Sequence, residues 1–496
     1  MTDQAPIKPT LDKDLAKIDK VTRATGTLSR SIVPVGLAVT FIAICTLMTL
    51  AFTGNYQGSL LIGVAAGIGA YMALNIGAND VANNVGPAVG SRALSLVGAL
   101  VIAAVFESAG ALIAGGDVVG TISKGIIDPS QVADSQVFVT LMMSALVSAA
   151  LWINIATIVG APVSTTHSIV GGVAGAGIAA AGIGAVDWET MAQIAASWVI
   201  SPLLGGIIAA GFLAFIKTAI IYRDDKIAAA RRWVPVLVAI MAGAFAAYLA
   251  MKGLKKIISI ELSQAILIGV ATFVTCWIVT HPLIKRQSEG MENRNHSLRQ
   301  LFKIPLIFSA ALLSFAHGAN DVANAIGPLA AIVSTVQSGE VASSVGIPLW
   351  VMLIGAGGIS FGLVLFGPKL INMVGAQITK LNPMRAFCVA LSAAITVIIA
   401  SALGLPVSST HIAVGAVFGV GFFREWYTAN SKRRREYVRR NASNAIPASE
   451  RPSHIGKRRR LVRRQHFLTI IAAWLITVPM AALLSGGLYL GFQAFF

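Results

Sequence analysis

Apolar runs of about twenty residues, separated by short polar or basic stretches, fill most of the chain. They lie near 32–53, 58–76, 94–115, 136–160, 163–183, 191–216, 233–251, 262–281 and 304–320, and continue toward the C-terminus. Most are long enough to cross a hydrocarbon core of roughly 30 Å as a helix. None alternates polar and apolar residues as a barrel strand does. Backbone groups in lipid must pair within their own segment. The pattern therefore predicts an all-α integral membrane protein of about 12–13 transmembrane helices, the short run 408–423 reading either as a span or as a re-entrant half-helix.

Composition agrees with this reading. Hydrophobic residues make up 56% and charged residues 12%, against about 25% charged in a typical globular chain. The formal charge of +17 raises nucleic acid as a partner. Its basic residues, however, concentrate in 1–30, 217–232, 281–303 and 424–467. Basic loops between apolar runs mark the cytoplasmic side, so the charge points to membrane lipid and not to nucleic acid. The expectation is a multi-pass protein of the cell (inner) membrane with a cytoplasmic N-terminus. Lys252, Lys255 and Lys256 run against it, because they then face outward. Cys45, Cys276 and Cys388 show no disulfide or metal spacing. The 48 glycines read mainly as packing residues, because small side chains let helices approach closely in lipid.

The chain also repeats itself. Gly77-Ala78-Asn79-Asp80-Val81-Ala82-Asn83 returns unchanged as Gly318-Ala319-Asn320-Asp321-Val322-Ala323-Asn324, and Pro162-Val163-Ser164-Thr165-Thr166-His167 returns as Pro406-Val407-Ser408-Ser409-Thr410-His411. Two motifs recurring in one order at nearly one separation indicate duplication. This divides the chain into a tail (1–30), an extra N-terminal transmembrane helix (31–57), a first repeat (58–217), a connecting transmembrane hairpin and cytoplasmic loop (218–303), and a second repeat (304–496) that contains the basic cytoplasmic loop 424–467. Counting spans brings the first Asn-Asp motif to the inner end of a helix and the second to the outer end. Inverted repeats with interrupted helices are a transporter signature.

Asp80 and Asp321 lie in apolar helical stretches, where a carboxylate costs at least ~2.5 kcal/mol and persists beside a cation, a proton or a partner charge. With Asn79 and Asn320 beside them, oxygen ligands for a hard cation such as sodium are at hand. Gly86-Pro87 and Gly327-Pro328 suit unwound backbone with free carbonyls. In the second motif, Gly160 and Gly404 end one helix and Pro162 and Pro406 lead into the next. Ser164, Thr165, Thr166, Ser408, Ser409 and Thr410 then sit at positive helix ends, which bind anions. Ordinary N-capping by Ser or Thr is the plainer reading, and the duplication favours the anion. His167 and His411 either meet the anion, relay a proton or hold helices together. Glu107 lies inside a span and needs a partner, such as Arg92 or a bound cation. Asp117, Lys124, Lys369 and Arg385 read as residues reaching the interface. The basic loop 424–467 reads as a topology anchor near anionic lipid, or as a regulatory contact.

At these two motifs, together with Phe106-Glu107 and residues 121–128, the chain resembles the inorganic phosphate transporter family over roughly residues 58–490, and within it the sodium-coupled branch. The resemblance implies cation ligands at Asn79, Asp80, Asn320 and Asp321 and phosphate near Ser164, Thr165, Thr166, Ser408, Ser409 and Thr410. It also implies a homodimer and alternating access; Glu107, His167 and His411 are, on their own residue chemistry, candidates for coupling. Two features depart from the pattern: Ala390 stands where the sodium branch often has Glu, and the N-terminal span is additional. The alternatives are proton coupling, sulfate as the anion, and a channel or substrate-sensing receptor. No nucleotide-binding P-loop is present, and a duplicated Ser/Thr motif suits a symmetric binding site better than a catalytic triad, so no enzyme activity is expected.

Overall fold

The computed structural model describes residues 32–54, 57–128, 131, 132, 134–159, 161, 163–253, 258–341, 346–377, 381–436 and 464–495. The tail 1–30, Gly160, Pro162, Lys255, Lys256 and most of the basic loop (437–463) lie outside the described residues, as do the side chains of Asp117 and Lys124. Apart from one isolated β-bridge between Ile127 and Val186, the described elements are helical.

Helix α1 spans Ile32–Thr53. The first repeat then provides α2 (Ser59–Gly90), α3 (Leu96–Ala114), the short α4 (Gly116–Gly120) with a π turn at Thr121–Gly125, α5 (Ser135–Val159), α6 (Thr165–Ala181) and α7 (Trp188–Ile216). Helices α8 (Lys226–Lys252) and α9 (Leu262–Gln287) form the connecting hairpin, followed by the short α10 (Asn295–Leu301). The second repeat provides α11 (Lys303–Ser338), α12 (Leu349–Gln377), α13 (Pro383–Ala402), α14 (Ser409–Asn430) and α15 (Arg464–Phe495). Among the described residues, eleven helices are long and apolar enough to cross a membrane. The count of about thirteen included the two Pro-Val-Ser runs, and α6 and α14 are absent from those eleven, which accounts for the difference.

Local chemistry sets the boundaries. Ser95, Asp187, Asp225 and Asn382 each cap the helix that follows, accepting from the backbone N–H three residues on. Each satisfies one otherwise orphaned donor. Gly404, with φ of 69°, makes the left-handed turn between α13 and α14, where a side chain would be strained. Lys252 donates to the Ala402 carbonyl at the C-terminus of α13 at 3.3 Å. A lysine at a helix end that already carries partial negative charge is thus occupied there, which explains its place against the charge rule.

One expectation is corrected. The Asn-Asp motifs do not end helices, and the Gly-Pro pairs do not unwind them: α2 runs on through Pro87 to Gly90, and α11 through Pro328 to Ser338. Residues 77–88 and 318–333, which hold the motifs and the Gly-Pro pairs, are buried throughout. Pro is tolerated within a packed membrane helix because neighbours supply partners for the freed backbone groups. The interruptions fall instead between α5 and α6 and between α13 and α14.

Helices α2 and α11 pack together at the centre, and the rest assemble reciprocally. Helix α12 packs on α2 as α3 does on α11, α15 packs on α6 as α7 does on α14, and α5 and α13 each touch both central helices. Close approach at glycine makes the central crossings. A Cβ on Gly77 would meet the Ile359 carbonyl and one on Gly362 the Leu74 carbonyl. In the same way, a Cβ on Gly318 would meet Glu107 and one on Gly110 the Phe315 carbonyl. Helix α1 lies outside, its ring at Phe41 stacked on Phe361.

Candidate functional site

The two duplicated motifs, distant in sequence, meet in one buried centre. Asp80 on α2 and Asp321 on α11 are 0% and 1% exposed. Thr165, at the start of α6, donates to Asp80 Oδ2 at 3.0 Å, and Thr410, at the start of α14, donates to Asp80 Oδ1 at 2.7 Å. Ser409 donates to Asp321 Oδ2 at 2.7 Å. The amides cross in the same manner. Asn83 donates to Thr410 Oγ1 at 2.8 Å, and Asn324 donates to Thr166 Oγ1 at 3.1 Å and Thr165 Oγ1 at 3.3 Å. Each Asn-Asp helix therefore bonds to the Ser/Thr helix of the other copy as well as its own. Farther out, Asn79 donates to Thr157 Oγ1 at 2.9 Å, and the Asn320 carboxamide meets the equivalent Ser401 hydroxyl at 3.0 Å.

Ser164 and Ser408 hold the N-cap positions, their hydroxyls accepting from His167 N and His411 N at 3.1 and 3.2 Å. Thr166 Oγ1 donates to the Val407 carbonyl at 3.0 Å, so it too links the copies. The two helix N-termini thus converge with their Ser and Thr hydroxyls committed to caps, carboxylates and one carbonyl. Their remaining first-turn N–H groups are the part of the motif suited to an anion.

His317 was not singled out from the sequence. It lies one turn before Asp321 on α11, with Nε2 at 2.9 Å from Asp321 Oδ2 and 3.7 Å from Asp80 Oδ2. Its Nδ1 is 3.3 Å from Glu107 Oε2. A histidine in an apolar, helical run at i−4 from an aspartate was the available signal. Glu107 finds its partners here: Asn84 donates to its Oε1 at 2.8 Å, and His317 faces its other oxygen. Arg92 is not that partner. It sits just past the end of α2 at φ of 61° and is exposed, because α2 continues far enough to bring Asn84, not Arg92, beside α3.

The donor set suits a cation. Asp80, His317 and Asp321 each place a ligand atom within 4.8 Å of the other two. Buried amide oxygens of Asn79, Asn84 and Asn324 have no hydrogen-bond donor among the described residues, as expected of oxygens kept for a metal ion or a water. The carboxyl groups of Asp80, Glu107 and Asp321 all face one imidazole in a buried volume, an acid-rich set that a bound cation would balance. Oxygens in this number favour a hard ion over a transition metal.

His167 and His411 lie just beyond the centre. Their rings meet edge to face at 4.3 Å, with Trp198 at 3.8 Å from His167 and Trp474 at 3.6 Å from His411. Both are buried, and this four-ring stack joins α6 and α14 to α7 and α15.

A sequence profile of the phosphate transporter family matches residues 76–485. The chain belongs to the phosphate transporter family. A candidate phosphate permease of Helicobacter pylori strain J99 is 45% identical over 528 residues, covering 97% of this chain and 99% of the relative. Another from Pyrococcus horikoshii is 36% identical, covering 84% and 94%. Among solved structures, one of a sodium-dependent phosphate transporter aligns with a TM-score of 0.77 at 34% identity, covering 88% of this chain and 99% of that one. This transporter thus shares its fold with a protein described as a sodium-dependent phosphate transporter.

Proposed function

We propose that this transporter imports inorganic phosphate by secondary active transport, coupled to a cation gradient with sodium as the ion, through alternating access of two inverted repeats. The observation that carries the proposal is the crossed bonding of the copies at one centre: Thr410 of the second copy donates to Asp80 of the first, and Asn324 of the second donates to Thr165 and Thr166 of the first. In this reading Asp80 and Asp321, with Asn79 and Asn320, hold sodium, and its charge attracts phosphate to the N-termini of α6 and α14. Ser164, Thr165, Thr166, Ser408, Ser409 and Thr410 shape that anion site. Glu107 and His317 link cation occupancy to movement, and His167 and His411 hold the two Ser/Thr helices together. The basic loops favour an N-terminus in the cytoplasm of a cell membrane, and the family resemblance favours a homodimer. The chemistry is transport rather than catalysis.

A second reading, proton coupling, rests on His317. Its two ring nitrogens face carboxylates on opposite sides, and serving both as a donor takes a proton on each nitrogen. Radiolabelled phosphate uptake into proteoliposomes decides between them. Uptake driven by an inward sodium gradient at equal pH on both sides supports sodium. Uptake driven only by a proton gradient moves the coupling to His317 and the aspartates. A phosphate signal abolished by equimolar sulfate would replace phosphate as the favoured anion.

A further inference from the structure

A cavity of about 250 Å³ lies at the far end of α7, away from the residues of the buried centre. Five cations line it: Lys217, Arg299, Arg385, Arg424 and Arg434. No carboxylate is among its described lining residues. The five come from distant segments, namely the π turn that ends α7, α10, the first turn of α13, the last part of α14 and the short helix after it. Folding therefore brings them together; no single basic run does.

Two observations set this cavity apart from a solvated basic loop. Lys217 is only 9% exposed. Its ammonium lies over the Tyr427 ring at 4.2 Å and the Phe423 ring at 5.3 Å, and among the described residues it makes no hydrogen bond or ion pair. Arg385, Arg424 and Arg434 are also near enough for their like charges to repel it, and Arg299 and Arg424 repel Arg385. A topology anchor needs basic groups that reach lipid headgroups. It does not need Lys217 buried with Arg385, Arg424 and Arg434 half-buried around it, where repulsion is screened least.

We propose that this cavity binds a phosphate-bearing anion at a site separate from the transport centre. A polyanion would relieve the repulsion, and guanidinium groups offer the fork geometry that pairs with phosphate oxygens. Tyr222 and Thr428 add neutral hydroxyls to the lining. The space exceeds a single orthophosphate, which favours a diphosphate or a lipid headgroup bearing phosphate. The basic loops place the opening on the cytoplasmic side, so the ligand is a cytoplasmic anion or an inner-leaflet lipid.

The test uses the full chain in phosphatidylcholine nanodiscs in sodium-free buffer, titrated with inorganic pyrophosphate by calorimetry. In parallel, nanodiscs containing phosphatidylglycerol are analysed by native mass spectrometry for retained lipid. The variants are K217Q/R424Q and the charge-keeping K217R/R424K, with K217Q alone in reserve should the double variant not fold. Saturable pyrophosphate binding that K217Q/R424Q weakens at least about tenfold, and K217R/R424K does not, supports a soluble ligand. Phosphatidylglycerol retained by the wild type and lost in the same variant supports a lipid. Pyrophosphate affinity and lipid retention both unchanged in a K217Q/R424Q protein that still takes up phosphate would overturn the proposal.

Discussion

The two repeats share their hydroxyl and amide chemistry but not their central pair. In the first copy Gly77 packs against Ile359 of α12, and the residue before Gly77 is Ile76. In the second copy Gly318 packs in the same way against Glu107 of α3, and the residue before Gly318 is His317. One crossing thus carries an apolar isoleucine pair, and its counterpart carries a buried His–Glu pair at 3.3 Å. All four side chains are fully buried. Duplication supplied a symmetric scaffold, and only one side of it acquired groups that respond to charge. The two sides of the centre are therefore chemically unequal, with His317 and Glu107 on one and Ile76 and Ile359 on the other.

The largest effect on this comparison should come from its shared element. Asp80→Asn and Asp321→Asn should each abolish coupled uptake while leaving expression and insertion intact. Normal uptake by either folded variant would remove that carboxylate from the mechanism. Next come the unshared groups: His317→Gln and Glu107→Gln should lower the uptake rate at least about tenfold, equivalent to roughly 1.4 kcal/mol. Ile76→Val and Ile359→Val, on the matching side, should change it by less than about twofold, or about 0.4 kcal/mol. Equal losses on both sides would mean that the asymmetry is packing alone.

Gly77→Ala and Gly318→Ala test the crossings themselves. Each new methyl meets a partner backbone, and overpacking of this kind costs about 1–3 kcal/mol. Thermal unfolding in detergent should show a lowered midpoint for both variants, by similar amounts if the crossings are equivalent. The smallest effects belong to the caps. Ser164→Ala and Ser408→Ala each remove a cap worth about 1 kcal/mol and should weaken apparent phosphate affinity a few-fold in concentration-dependent uptake. Unchanged affinity in both would leave these serines as caps only.

Much of this arrangement was legible in the chain. Run length placed α3, α5, α6 and α7 within a few residues but ended α2 and α11 more than ten residues early, and the duplicated motifs marked the residues that converge. What stayed hidden has physical reasons. His317 escaped because it stands just outside the duplicated motif, and its counterpart is the apolar Ile76. The continuity of α2 and α11 through Gly-Pro escaped because a local breaker signal is outweighed by burial on every side. The partner of Glu107 depended on that continuity, since only an unbroken α2 carries Asn84 to α3. The basic cavity escaped because its members are scattered from Lys217 to Arg434, and no window of sequence contains them together.

The unbroken motif helices also bear on how the protein meets its bilayer. At 1.5 Å per residue, the 32 residues of α2 and 36 of α11 are far longer than a hydrocarbon core of about 30 Å requires. Their apolar stretches are 72% and 89% buried, whereas those of α1 and α9 are each 11% buried. Hydrophobic mismatch therefore falls first on the outer helices, which are free to tilt against the lipid. The pair that carries Asp80 and Asp321 is shielded by protein from changes in acyl-chain length, so one site geometry can serve membranes of different thickness.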